Sequence, residues 1–356
     1  MRRLRRKFRK NQSKIILTTA FALVFCLCVG YAAFQTVINF NVKGNIKKKL
    51  LTPRDLTKNV VTTGDGLYAD TTEEGRYIYR GANPNNYIKL GSDMYSIIAV
   101  ESDNTLKVIK NGSIGRKAFD PGYATVIDGV TSANSSLGTR YSSASTDYCF
   151  DYDPTEYYGC NVWGSKTTML DTNGNNVTQM PLGVGGGTLY NLPDKEATLN
   201  TYLNNDWYNS LDSSVKSKIV THMFNVGAVN VDETNLSNTI TQEATYKWKG
   251  KVGLMLLSEY VKASTNLLCD SVSSYYNNSS CYNNSETHNW IFASIGDSDP
   301  LMFAHRGIYT VFFVLHYGFP SFSQACDPFG IAPVFYLSSD ITLSGEGTSD
   351  NPYTVG

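Results

Sequence analysis

The sequence predicts an α+β fold after an N-terminal transmembrane helix, built from short strands, a helical stripe and long polar loops. Three observations predict it. An uncharged apolar run, Ile15 to Phe34, follows eight positive charges: Arg2, Arg3, Arg5, Arg6, Lys7, Arg9, Lys10 and Lys14. Only 17% of residues are charged while Asn, Ser, Thr, Gly and Tyr abound, which favours strands and polar loops over helical bundles. Short apolar runs separated by turn residues then dominate the chain after Gly66, interrupted by a helical stripe that begins at Leu199.

The apolar run holds 20 residues, and at about 1.5 Å rise per residue such a helix crosses a hydrocarbon core of about 30 Å. The basic block is expected to stay cytoplasmic, which sends everything after Phe34 outside. A cleaved secretory signal fits the same features, with Gly30 and Ala32 spaced as at a peptidase site before Ala33, and leads to the same compartment. The expected organisation is a cytoplasmic head at 1–14, a signal anchor at 15–34, a stalk at 35–65 and an extracellular domain at 66–356 with a long insertion at about 111–190. The chain has 31 Lys+Arg against 31 Asp+Glu, so removing the eight head charges leaves 23 against 31, a net −8 outside. That balance argues against a nucleic-acid partner and suits a soluble ectodomain.

Cysteine spacing fits an oxidising compartment. Cys149 and Cys160 bracket a short acidic loop, and Cys269 and Cys281 bracket a Ser/Asn/Tyr loop, so two local disulfides are expected. Zinc is the competitor, but no CxxC pair or adjacent histidine supports it. Cys326 is left over, as a thiol or an intermolecular bond.

In chain order, strands are expected at Tyr77–Tyr79, Tyr87–Leu90, Tyr95–Glu101 and Thr105–Lys110, with Asp103-Asn104 as the turn between the last two. Leu199, Leu203, Trp207, Leu211, Val215 and Ile219 recur every four residues, the stripe of a helix or a broken helix pair, with Asp212 as N-cap of its second half. Lys251–Leu257 reads as a strand, and Ser258 as the cap of a short helix, Glu259–Ser264, with Glu259 in its first turn. Trp290–Ala293, Ile308–Phe319 and Ala332–Leu337 read as strands, with Ile341–Leu343 before a closing turn.

Several of these segments carry a resemblance: Gly75-Arg76-Tyr77-Ile78-Tyr79-Arg80-Gly81, the hairpin from Ile88-Lys89-Leu90 through Lys107-Val108-Ile109-Lys110, Leu199–Leu203, and Val252-Gly253-Leu254-Met255 before Ser258-Glu259-Tyr260. Asn289-Trp290, Pro333–Leu337 and the ending Gly345-Glu346-Gly347-Thr348 with Asn351-Pro352-Tyr353 continue it. Together they resemble exported surface proteins of gut-type Gram-positive bacteria that carry a C-type-lectin-like, formylglycine-generating-enzyme-like domain. The resemblance implies a C-type-lectin-like fold, with a small, twisted, mostly antiparallel sheet, flanking helices and long loops, and no particular activity. It departs at Ala332, where an Arg usually precedes the Pro of the last core strand, so whatever that Arg supports is in doubt here.

No reaction motif stands out. There is no HExxH, GxSxG or Walker lysine, and Gly183–Gly187 lacks a following GK[ST]. Asp151, Asp153 and Glu156 do not follow an EF-hand spacing, so neither metal nor cofactor is expected. A thiol–imidazole pair of His305 and Cys326 is outweighed by two unrelated residues in a loop-rich region. The unusual stretch is Leu301–Phe329, with eight aromatics in 29 residues, mixed with small polar residues as in binding paratopes. Its composition is nearly compatible with NNC-like codons, apart from Met302 and Gln324, as in lectin-like proteins diversified by retroelements. Ile308–Phe319 equally fits a strand buried on both faces, and a mixture of core and patch fits too. The expected function is a membrane-anchored, non-catalytic recognition or adhesion protein, single-pass with its C-terminal domain outside, for a protein or glycan on another cell, a phage or a host. Its contacts would be Phe303, His305, Arg306, Tyr309, His316, Tyr317 and Phe322. The competing classes are a formylglycine-generating-like enzyme or cell-wall hydrolase, and a structural surface protein.

Overall fold

A computed structural model describes residues 19, 22–27, 50–120, 124–127, 130–133, 159–181, 189–230, 232–283, 285–295, 301–304, 310–315 and 318–356. The chain divides into two units, Met1–Lys49 and Leu50–Gly356. In the first, residues 22–27 are helical with Leu23, Val24, Phe25 and Leu27 exposed. Most of the expected span Ile15–Phe34 lies outside the described residues. Among the described residues, no helix is long and apolar enough to cross a membrane.

The second unit is α+β, and it begins earlier than the composition suggested. Residues 50–65 were expected to finish a stalk, yet a short helix Pro53–Leu56 buries Leu56, and Leu51 bridges to Leu343. The centre is a ten-stranded sheet. Its first five strands are β1 (Gly66–Ala69), β2 (Tyr77–Arg80), β3 (Tyr87–Leu90), β4 (Asp93–Val100) and β5 (Leu106–Lys110). Along the sheet the order is Ile219–Val220, Val334–Leu337, β5, β4, β3, Tyr353–Val355 and Leu343–Ser344. β2 also pairs with β4 and with β1, and Val252–Gly253 pairs with Val334–Leu337. All pairings in this sheet are antiparallel except Tyr353–Val355 with β3.

β4 is buried on both faces from Tyr95 to Val100, which is why it reads as a continuous apolar run rather than an alternating one. The expected turn joins it to β5. Asp103 Oδ1 accepts from Thr105 N at 2.9 Å and from Thr105 Oγ1 at 2.7 Å, and Asn104 takes the left-handed φ of 65°. Tyr95 packs edge-on to Phe335 with centroids 5.3 Å apart, joining β4 to the Val334–Leu337 strand through the core.

The polar insertion at 111–190 contributes to the same core through its few large residues. Phe119, Cys160, Val162, Trp163, Met169 and Met180 are all buried there, and the Trp163 ring lies 5.5 Å from Phe119 and 5.9 Å from Trp248. Cys160 is disulfide-bonded, while Cys149, its expected partner, lies outside the described residues, as do Asp151, Asp153 and Glu156.

The helical stripe forms a rod of Thr198–Thr201 and Tyr208–Ser210 around a π-helical middle, Tyr202–Trp207. Its side chains Leu199, Leu203 and Trp207 are buried. Asn204, within the wide turn, accepts from Val252 N at 3.0 Å and donates to Val252 O at 2.9 Å, tying the rod to the sheet. The stripe breaks after Ser210. Val215 falls on the separate helix Ser213–Lys216 and Ile219 on a strand. Asp212 occupies the N-cap position, but its side chain makes no capping bond.

Three local expectations are corrected. Trp290–Ile295 is a helix, not a strand, and Asn289 Oδ1 accepts from Ile291 N at its start. A four-residue apolar run suits either element, so its period could not decide. Lys251–Leu257 contains only the two-residue strand Val252–Gly253, with the next helix already under way at Leu257. That helix is Leu257–Lys262, so Ser258 sits inside it instead of capping it. Glu259 is in the first turn as expected and accepts from Leu256 N at 3.1 Å.

Candidate functional site

The aromatic stretch near the C-terminus forms its own three-stranded antiparallel sheet: Leu301–Ala304, Thr310–Val314 and Pro320–Gln324. The middle strand is core, with Val311, Phe312, Phe313 and Val314 all buried. Phe313 stacks on Phe329 at 4.1 Å, and Asn161 Nδ2 donates to Thr310 O at 2.9 Å, anchoring this strand to the insertion. The outer strand differs. Phe322, register partner of Phe312, is 42% exposed, and Ser321, Ser323 and Gln324 are half-buried beside it. The stretch is therefore a mixture, a buried middle strand backing an outer strand with a partly exposed aromatic ring.

Neighbouring contacts hold the outer strand in place. Phe319 sits between Tyr276 and Tyr282, centroids 4.6 and 5.3 Å away and both edge-on. Tyr260 Oη donates to Gly318 O at 2.8 Å. Gly318 has φ +87°, and a Cβ there would lie 2.1 Å from Ser285 Oγ, so the bend before Pro320 requires glycine. After the strand, the Ser323 hydroxyl donates to Asp327 Oδ2, and the buried Cys326 Sγ donates to Gln324 Oε1 at 3.5 Å.

Of the seven expected contact residues, Phe322 is placed on the exposed outer strand and Phe303 lies in the backbone of the first strand. His305, Arg306, Tyr309, His316 and Tyr317 lie outside the described residues. Of the four expected disulfide residues, Cys269 and Cys281 are bonded to each other.

The sequence did not show a second concentration of polar chemistry, inside the main sheet. Arg76 Nε donates to Glu101 Oε2 at 2.8 Å, its Nη1 to Asp70 Oδ2 at 2.8 Å, and its Nη2 to Glu259 Oε1 at 2.8 Å. Lys107 Nζ donates to the same Glu259 oxygen at 2.7 Å, and Lys262 Nζ to Asp70 Oδ2 at 2.8 Å. Burial disfavours these charges, but the opposed partners win. Asp70 is held at about 2 against its desolvation by Lys262, Thr72 and Arg76, and Glu259 is lowered against its own by Lys107 and Arg76. The three cations and three carboxylates satisfy one another, which makes the cluster a brace between the residue before β2, the residue after β4, β5 and the Leu257–Lys262 helix rather than a set of groups poised for a substrate. Its members are scattered over almost 200 positions, and the one sequence signal was Glu259 in a helix first turn.

His288 and Ser264 form a further buried pair, Oγ to Nδ1 at 2.8 Å, and burial lowers the imidazole below its ordinary range. The Ser264 oxygen also accepts from Asn266 N at 3.0 Å, so it ties down the turn that leads into the Cys269–Cys281 loop.

Comparison with protein-family models, with curated proteins and with solved structures gave no match.

Proposed function

We propose that this is a membrane-anchored, extracellular, non-catalytic recognition protein. Its α+β domain would be lectin-like, and it would bind a protein or glycan ligand through the outer strand of the C-terminal three-stranded sheet. The observation that carries the reading is Phe322, a large aromatic held 42% exposed on a strand whose neighbour is buried from Val311 to Val314. A rigid ring on a rigid support gives contact area at little cost in conformational entropy. Gln324, half-buried and two residues along on the same face of the strand, places an amide beside the ring. The chain is anchored through the apolar run Ile15–Phe34, as the flanking charge asymmetry suggests.

The test is binding of the full-length, detergent-solubilised chain to glycan and bacterial-surface arrays. Saturable binding to a restricted set of ligands is the expected result. A folded chain that binds nothing on either array, or binds everything alike, would leave the recognition reading without support.

A further inference from the structure

One buried acid stands outside the charge balance of the brace. Glu243, the last residue of the Leu236–Glu243 helix, is 2% exposed. Its Oε1 accepts from Ser258 N at 2.9 Å, and its Oε2 accepts from the Ser258 hydroxyl. The charged groups that reach it are Glu259 and Lys262, on the helix it docks against. Glu259 repels it. Lys262 is already committed to Asp70 and Thr72, while Lys107 and Arg76 are committed to Glu259, Glu101 and Asp70. Arg76, Lys107 and the half-buried Lys262 thus face four buried carboxyl groups, and among the described residues the fourth has only Ser258 for a hydrogen-bonding partner. A carboxylate there accepts both Ser258 bonds but has no counter-charge, and burial without one favours the neutral carboxyl group.

We propose that Glu243 is a proton-linked latch: with its proton it docks the end of the Leu236–Glu243 helix on the first turn of the Leu257–Lys262 helix, and without it the two helices part. The released piece is defined. Gly227 N donates to Glu243 O at 2.9 Å, Gln242 Nε2 donates to Glu233 Oε2 at 2.8 Å, and Ser273 N donates to Glu233 O at 2.9 Å. Opening at Glu243 therefore frees the segment from Gly227 to Ala244, with Ser273 as its far tether.

The direction of the effect follows from linkage. Burial raises the carboxyl from 4.5 to about 7, against the Ser258 hydrogen bonds and with help from Glu259. Docking is complete below the unfolded value of 4.5, weakens through the interval above it, and the loss levels off once pH passes about 7. Amide exchange of the full-length chain, corrected for intrinsic chemistry, tests this between pH 4.5 and 8. The opening constant of peptides covering the two helices should rise about tenfold per pH unit and then level off. Peptides from β4 should stay flat, and Glu243→Gln should remove the slope. A wild-type profile that is flat, or that rises equally in β4, overturns the latch, as does the same slope in Glu243→Gln. If that variant fails to fold, the wild-type comparison of the helices with β4 decides alone.

Discussion

Arg76 and Glu259, 183 positions apart, meet at 2.8 Å inside the domain, and Lys107 reaches the same carboxylate oxygen at 2.7 Å. One acid thus joins the residue that leads into β2, β5 and the Leu257–Lys262 helix. Removing Arg76 leaves the buried Glu101 without its cation, and removing Glu259 leaves the buried Lys107 without its carboxylate, which is far worse than never having had the pair. Arg76→Ala and Glu259→Gln should each cost about 3–5 kcal/mol. Arg76→Lys should recover little of that loss, because an ammonium cannot reach Glu101, Asp70 and Glu259 with one planar fork. Urea unfolding checks this, and a loss under 1 kcal/mol for both variants would show that the brace contributes little.

His288 gives the domain an acid limit. Its folded pKa is lowered by burial, so the neutral ring is the form the fold accepts. The stability it contributes is whole above the unfolded value of 6.5 and falls as pH drops below that value toward the folded one. His288→Gln should flatten the stability profile between pH 6.5 and 5. Equal slopes in wild type and variant would assign the acid sensitivity to other groups.

The Cys269–Cys281 bond closes a 12-residue interval in a region built from short helices, Val272–Asn277 and Ser279–Tyr282. The exposed Leu267 and Leu268 precede it. Replacing both cysteines by Ala should lower stability by about 3 kcal/mol, mainly by enlarging the unfolded ensemble. Non-reducing peptide mapping and thermal melts of the double variant measure it. A melt unchanged from wild type would mean that the loop is held by Asn266, Ser264 and His288 without the bond.

The parts of this fold that could be read from the sequence are those where one local signal suffices. Tyr87–Leu90 and the β4–β5 hairpin combine apolar runs with a turn that Asp103 and Asn104 both favour, and they stand where expected. Trp290–Ile295 failed because four apolar residues carry no period, and its helix depends on Asn289 and on packing. The insertion looked peripheral because its apolar residues are few, although Phe119 and Trp163 are fully buried. The brace and the latch were invisible because Asp70, Arg76, Glu101, Lys107, Glu243 and Glu259 are brought together only by the tertiary fold. In the C-terminal stretch, composition showed aromatics in excess but could not separate Phe312, which is buried, from Phe322, which is not.

The most direct test of the recognition reading is the affinity of full-length Phe322→Ala for a ligand selected by the wild-type chain, measured beside its thermal melt. An exposed ring at the centre of a binding surface predicts at least about a tenfold loss of affinity, some 1.4 kcal/mol or more, with the melt little changed. Undiminished binding by a variant that melts like wild type would contradict the account and move the ligand site away from this sheet.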